Sequence, residues 1–162
     1  DTGKTWTSTG PLNDGLKYHI IQPSLLLYQG RQQLLCRSQE NRIVSLWSTD
    51  GARSWSTPDT TSLVNPNSGT DAVTLKEGWQ VLVYNPTEKT KNNWGGPRSP
   101  LHVAMSKDGI KWKDVLVLES EPGEYSYPSV IQSNDNVIHI TYTWNRKKIK
   151  WVSMRLIGGP LP

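Results

Sequence analysis

The chain has 162 residues, a formal net charge of +4, 8 Trp, 6 Tyr, no Phe and a single cysteine, Cys36. That length suits one domain, no apolar run of about 18 residues is present to form a membrane-spanning helix, and a lone cysteine excludes an internal disulfide framework. The small positive charge suits an anionic ligand, although Lys and Arg on a surface also serve plain solubility.

The 11 Pro and 13 Gly cut the chain at short intervals, and no long apolar stripe of period 3.6 runs through it, so the composition reads as all-β. The chain opens on DTGKTW, Asp1–Trp6, followed by a short predicted strand, Thr7–Pro11. Alternating or continuous apolar runs then predict strands at Ile20–Tyr28, Gln32–Arg37, Ile43–Ser48 and Thr60–Leu63. A second group follows at Ala72–Leu75, Gln80–Tyr84, Leu101–Ser106 and Val115–Glu119. The last group is Tyr127–Gln132, Val137–Thr143 and Ile149–Arg155, with Gly158-Gly159-Pro160 ending the fold. The basic run Arg146-Lys147-Lys148 falls between two of these strands. Without a stacking aromatic platform it reads as a solvated turn, and no nucleic-acid partner is expected. His19, His102 and His139 have no metal-ligand spacing, so neither a metal nor a cofactor is expected.

Three segments repeat one pattern: DTGKTW at Asp1–Trp6, STDGARSW at Ser48–Trp55 and SKDGIKW at Ser106–Trp112. The Asp accepts backbone N–H bonds across a turn, the Gly supplies a positive φ, and the Trp packs back on the strands. The tryptophans are 49 and 57 residues apart. A period near 50 points to an array of β-units, usually propeller blades. The predicted blades are 16–64, 65–120 and 121–157, with 1–15 as a closing strand. Three blades do not close a ring, since propellers have at least four. The expected partner is therefore a second copy, giving a homodimer, or a missing N-terminal half. Gln22, Asp71 and Tyr125 each open the innermost strand of a blade, at spacings of 49 and 54. Their side chains are expected to point at one central site.

The repeated segments resemble the Asp-box (BNR) repeat of the sialidase, or neuraminidase, superfamily. IIQPSLL, LLCRS, NPNSGTDAV, PRSPLHVAMSKDG and GEYSYPSVIQ are similar to its BNR-repeat "predicted neuraminidase" branch, and the likeness spans essentially the whole chain. The resemblance implies the C-terminal half of a six-bladed propeller. It also implies an exo-glycoside hydrolase acting on a terminal carboxylated sugar such as sialic acid. Such enzymes use an arginine triad for the carboxylate, a Tyr nucleophile, a Glu that deprotonates it and an Asp acid/base. Arg37, in Leu34–Ser38, and Arg98, in Pro97–Pro100, match two of the arginines in order and spacing. Tyr125, in Glu124–Pro128, matches the nucleophile; Tyr127, two residues on and on the same face by strand period, is its alternate. Trp94, in the Asn92–Gly96 loop, is placed to stack on a sugar face.

One position departs from that pattern. Gln22 stands 15 residues before Arg37, where the family has its Glu. An amide cannot take the proton of a tyrosine; Asp71 and Glu124 are the carboxylates placed to substitute. The remaining arginine and the Asp acid/base are implied to lie on earlier blades. The alternative to an enzyme is a catalytically inactive glycan-binding or self-assembling propeller half.

Overall fold

The computed structural model describes residues 1–90 and 93–157. It is built from eleven strands, and no helix occurs among the described residues. Strands β1 (Ile20–Tyr28), β2 (Arg31–Ser38), β3 (Arg42–Ser48) and β4 (Asp59–Val64) form one antiparallel meander. Strands β5 (Asp71–Thr74), β6 (Gln80–Tyr84), β7 (Leu101–Ser106) and β8 (Lys113–Glu119) form the second. Strands β9 (Tyr125–Gln132), β10 (Ile138–Trp144) and β11 (Lys148–Met154) form a three-stranded third. Strand β5 packs against β1 on one side and β9 on the other, so these three are the innermost strands of successive blades. The protein is a partial sialidase-like propeller of about three blades.

The predicted strand at Thr7–Pro11 does not form: residues 1–12 are all exposed and join no ladder. A strand needs a neighbour to take its backbone hydrogen bonds; residues 1–12 pair with none, and the third blade keeps three strands with β11 at its edge. The predicted end at Gly158–Pro160 lies outside the described residues, as does Asn92.

Packing follows the two-residue period of the strands. In the central blade, Leu82, Tyr84 and Ala104 face the first blade and meet Leu26, Leu35 and Ile43. Val81, Val83 and Val103 face the third and meet Val130, Ile138 and Ile140. Covered on both faces, every residue of β6 is buried. The end blades are covered on one face only. Leu25 and Leu27 of β1 therefore stay exposed, as do Ile131 of β9 and Ile149 and Trp151 of β11.

The turns of the three boxes form as the sequence predicts, but Trp6 of the first is 87% exposed and does not pack on the strands. In the second, Asp50 accepts bonds from the amides of Arg53 and Ser54 at 3.0 Å and from the hydroxyls of Ser48 and Ser54 at 2.9 and 2.6 Å. In the third, Asp108 accepts from the amides of Ile110 and Lys111 at 2.8 and 2.7 Å, and the Trp112 indole N–H donates to the Gly109 carbonyl. The Ser54 hydroxyl, then its amide and the Ser48 hydroxyl, hold the Asp50 carboxyl below its ordinary value. At Asp108 burial pushes the carboxyl up, but the amides of Lys111 and Ile110 pull it down by more. A carboxylate depressed in the folded state contributes stability above its unfolded value of about 3.9 and loses it as pH falls further. Chemical denaturation from pH 6 down to pH 3 should therefore show falling stability, with a shallower slope in Asp50→Asn; an unchanged slope would remove the box carboxylates from the account.

Candidate functional site

The three inner strands converge at their first residues. The triplets Gln22–Ser24, Gly69–Asp71 and Tyr127–Ser129 line one cavity of about 270 Å³. Two of these openings are bulged. The β1–β2 register skips Gln22 between Ile21 and Pro23, and the β9–β10 register skips between Ser126 and Ser129. Gln22 and Tyr127 accordingly take left-handed backbone angles, φ 52° and 50°. Non-glycine residues pay for that conformation, and such outliers gather at functional sites. Gly69 lets the third opening approach: a β-carbon there would sit 3.1 Å from Cδ1 of Tyr127.

The bulge reverses the order of the two tyrosines. Tyr125 is 2% exposed and packs in the core between the second and third blades, its ring 6.4 Å from that of Trp144. Tyr127 is 52% exposed and lines the cavity. The expectation that Tyr125 faces the site is therefore corrected, and so is the shared face of the pair. An extra residue in one strand breaks the two-residue alternation on which both rested.

Both predicted arginines come to this tyrosine. The Arg98 guanidinium lies over the Tyr127 ring at 5.3 Å, and the Arg37 guanidinium over the Trp94 ring at 5.1 Å. Such contacts orient the planar cation without neutralising it. No ion pair involves either arginine among the described residues, and Arg37 Nε and Arg98 Nη1 are buried without a hydrogen-bond partner. Arg37 is only 4% exposed. Burial pulls its guanidinium below the ordinary value, the Tyr127 phenol pushes it back, and the positive Arg98 lowers it again. Two cations held together with free N–H groups are arranged to receive a planar anion such as a carboxylate.

The predicted carboxylates are otherwise engaged. Asp71 accepts from the Ser24 hydroxyl at 2.9 Å and from the Val130 amide at 2.8 Å, so it ties β1, β5 and β9 together. Glu124 pairs with Arg146 at 2.7 Å. Gln22 is exposed at the cavity mouth.

Three further residues of the site were not singled out by the sequence. The fully buried Asn85 donates its amide to the carbonyls of Arg98, Pro100 and Tyr125 at 3.0, 2.8 and 3.1 Å. It thereby fixes the backbone on which both Arg98 and the start of β9 are mounted. Asn67 donates to the Trp94 carbonyl at 2.8 Å and holds that loop over Arg37. Thr70, lining the cavity, has a buried hydroxyl without a partner.

The family model described as a BNR repeat-like domain matches residues 1–140. The chain belongs to the BNR repeat-like domain family. Among solved structures, this BNR-repeat protein is similar to a mutant of the NanB sialidase of Streptococcus pneumoniae, with TM-score 0.76 and 11% identity over 96% of this chain. It is also similar to the leech intramolecular trans-sialidase, with TM-score 0.72 and 13% identity over 96% of the chain. A third neighbour is the Trypanosoma rangeli sialidase, with TM-score 0.62 and 21% identity over 98% of the chain. The BNR-repeat chain spans about 26% of the length of each of the three. No curated protein matches it in sequence. These likenesses give the sialidase-like propeller fold.

Proposed function

We propose that this chain carries the carboxylate-binding and tyrosine portion of a sialidase-like exo-glycoside hydrolase site, acting on a terminal carboxylated sugar such as sialic acid. One observation carries the reading: Arg37 and Arg98, both lacking a carboxylate partner, stand beside the exposed Tyr127 at the meeting point of three blades. Arg37 and Arg98 hold the carboxylate bidentately. Tyr127, neutral as it approaches an anionic sugar, attacks the anomeric carbon as the glycosidic C–O bond breaks, its proton passing to solvent and the leaving oxygen taking a proton in turn, while Trp94 forms an aromatic wall beside Arg37. Asp71 acts by pinning the inner strands, and Gln22 takes a hydrogen bond from the ligand or gives one. The acid/base and the further arginine would be supplied by earlier blades where those complete the ring, and a ring of two identical copies would lack them. The neighbours named above support the reading: the leech enzyme was solved with 2,7-anhydro-Neu5Ac and the T. rangeli enzyme with sialic acid.

A second reading, glycan binding without turnover, is favoured by the amide at Gln22 and by the engagement of both Asp71 oxygens. Calorimetric titration with sialic acid tests what the two readings share. Measurable heat that disappears in Arg98→Ala supports the clamp; equal affinity in the variant rejects it. Hydrolysis of a sialoside by the bound chain then separates enzyme from binder.

The partner of this half is proposed to be a second copy of the chain, closing a ring of six blades. The exposed Leu25, Leu27, Ile149 and Trp151 on the two end blades are the faces such a copy would bury. Light scattering should then give a mass near twice 18.3 kDa. A monomer at high concentration would instead leave those faces to the missing half.

A further inference from the structure

The first box is folded but has no blade to sit on. Asp1 accepts the amides of Gly3 and Thr5 at 3.0 Å, and the Trp6 indole N–H donates to the Gly3 carbonyl at 2.9 Å. The third box closes in the same way, through Trp112 on Gly109. There Trp112 is partly buried and packs against the core of the first two blades, whereas Trp6 is exposed. The second and third boxes each join the third strand of a blade to its fourth, β3 to β4 and β7 to β8. By that order the segment after the first box, Thr7–Pro11, is a fourth strand. In one copy of the chain it pairs with nothing.

The third blade offers the complementary edge. It has three strands, and β11 pairs with β10 alone. An edge strand with unpaired amides and carbonyls is a template for another strand. The other blades set the register. Lys113, the residue after the third-box Trp, pairs with Met105, one before the last residue of β7. Ser56, the residue after the second-box Trp, donates its amide at 2.7 Å to the carbonyl of Trp47, one before the last residue of β3. The Trp47 amide donates in turn to the Ser56 hydroxyl at 3.0 Å. The corresponding residues are Thr7, which also carries a hydroxyl, and Ser153 of β11; both are exposed.

The chain has the length to reach. Residues 65–70 and 120–124 lead from the fourth strand of one blade to the first strand of the next, β4 to β5 and β8 to β9. Residues 12–19, a longer link, lead from Pro11 to β1. The Thr7 segment therefore belongs to a blade on the side of β1 away from β5, where Leu25 and Leu27 are exposed. The chain's own third blade lies on the other side, beyond the middle one.

We propose that Thr7–Pro11 of one copy adds to β11 of a second copy as its fourth strand, antiparallel and with Thr7 opposite Ser153, and that the exchange is mutual. This deepens the second-copy reading of the partner and rests on it. Mutual exchange of an identical element gives a closed, twofold dimer. The added strand ends at Gly10-Pro11. Proline gives no amide to a further strand, so pairing stops there. Trp6 then packs on the blade that its own chain does not provide.

Disulfide trapping in the full chain tests the contact. Thr7→Cys and Ser153→Cys chains are made separately, mixed, refolded together under reducing conditions and then oxidised with copper phenanthroline. Cys36 is buried, so the introduced thiols are the exposed ones. The mixture should give a disulfide-linked heterodimer, identified by peptide mass spectrometry, at about tenfold or more the linked product of either chain alone. Ile149→Cys in place of Ser153→Cys should not link, because four residues along a strand span about 13 Å, beyond disulfide reach. A light-scattering mass near twice 18.3 kDa with no heterodimer link would overturn the strand exchange and leave the second copy as partner. A mass near 18.3 kDa would overturn the second-copy reading itself.

Discussion

Arg37→Met should weaken sialic acid binding by about 100-fold or more while leaving the melting temperature at or above that of the wild type. Each hydrogen bond to a charged group is worth about 1.5–3 kcal/mol, and a bidentate clamp loses two. The stability side rests on what Arg37 lacks. It is 4% exposed, its Nε has no partner, and the nearby Arg98 carries the same sign. A buried charge without a counterion costs the fold energy, and an apolar side chain of similar length removes that cost. Methionine also keeps packing under Trp94, with which the guanidinium is stacked at 5.1 Å. Calorimetry and thermal unfolding of the same sample check both halves. Loss of stability with binding retained would make Arg37 a structural cation.

Gly109→Ala should have the largest effect on folding, destabilising the chain by about 3 kcal/mol or more. The third box is the latch between the first two blades. Arg31 donates to the Asp108 carbonyl and Gln33 to the Gly109 carbonyl, both at 3.0 Å. A β-carbon on Gly109 would overlap the Tyr28 hydroxyl and the Gln33 amide oxygen and lie 2.9 Å from the Trp47 ring. Tyr28 cannot swing aside freely, because its hydroxyl donates to Gln33 at 2.7 Å. The residue also sits at φ 70°, which costs an alanine about 1 kcal/mol by itself. Gly51, the same position of the second box, provides the control. Its φ is 76°, but nothing lies within 4 Å of the added carbon. Gly51→Ala should therefore cost only that backbone share, about 1 kcal/mol. The difference between the two denaturation curves measures the blade–blade contact; equal losses would mean that the latch contributes nothing.

Boxes were legible because their signal is local: Asp50 and Asp108 bond to amides within four residues. Strands were legible from short apolar runs bounded by turn residues, and β1, β6 and β7 run over the residues that these runs predict. Arg37 and Arg98 were found through the family resemblance, and the structure brings both to the Tyr127 segment. The choice between Tyr125 and Tyr127 was not legible, because a bulge is a backbone event that no side-chain period records. Asn85 was silent for another reason. Its three acceptors are backbone carbonyls, two of them on Arg98 and Tyr125, 13 and 40 residues away. Arg146 was read as a solvated turn, and it is exposed, but its ion-pair partner Glu124 lies 22 residues earlier, just before β9.

The central claim is that Arg37 and Arg98 form a site for a carboxylate beside Tyr127. Nitrogen-15 NMR of the arginine Nε–H groups during titration with sialic acid tests it most directly. The account predicts that the resonances of Arg37 and Arg98 shift together and saturate, and that the sialic acid methyl ester, lacking the charge, leaves them in place. Shifts confined to exposed arginines, or equal shifts with acid and ester, would contradict it.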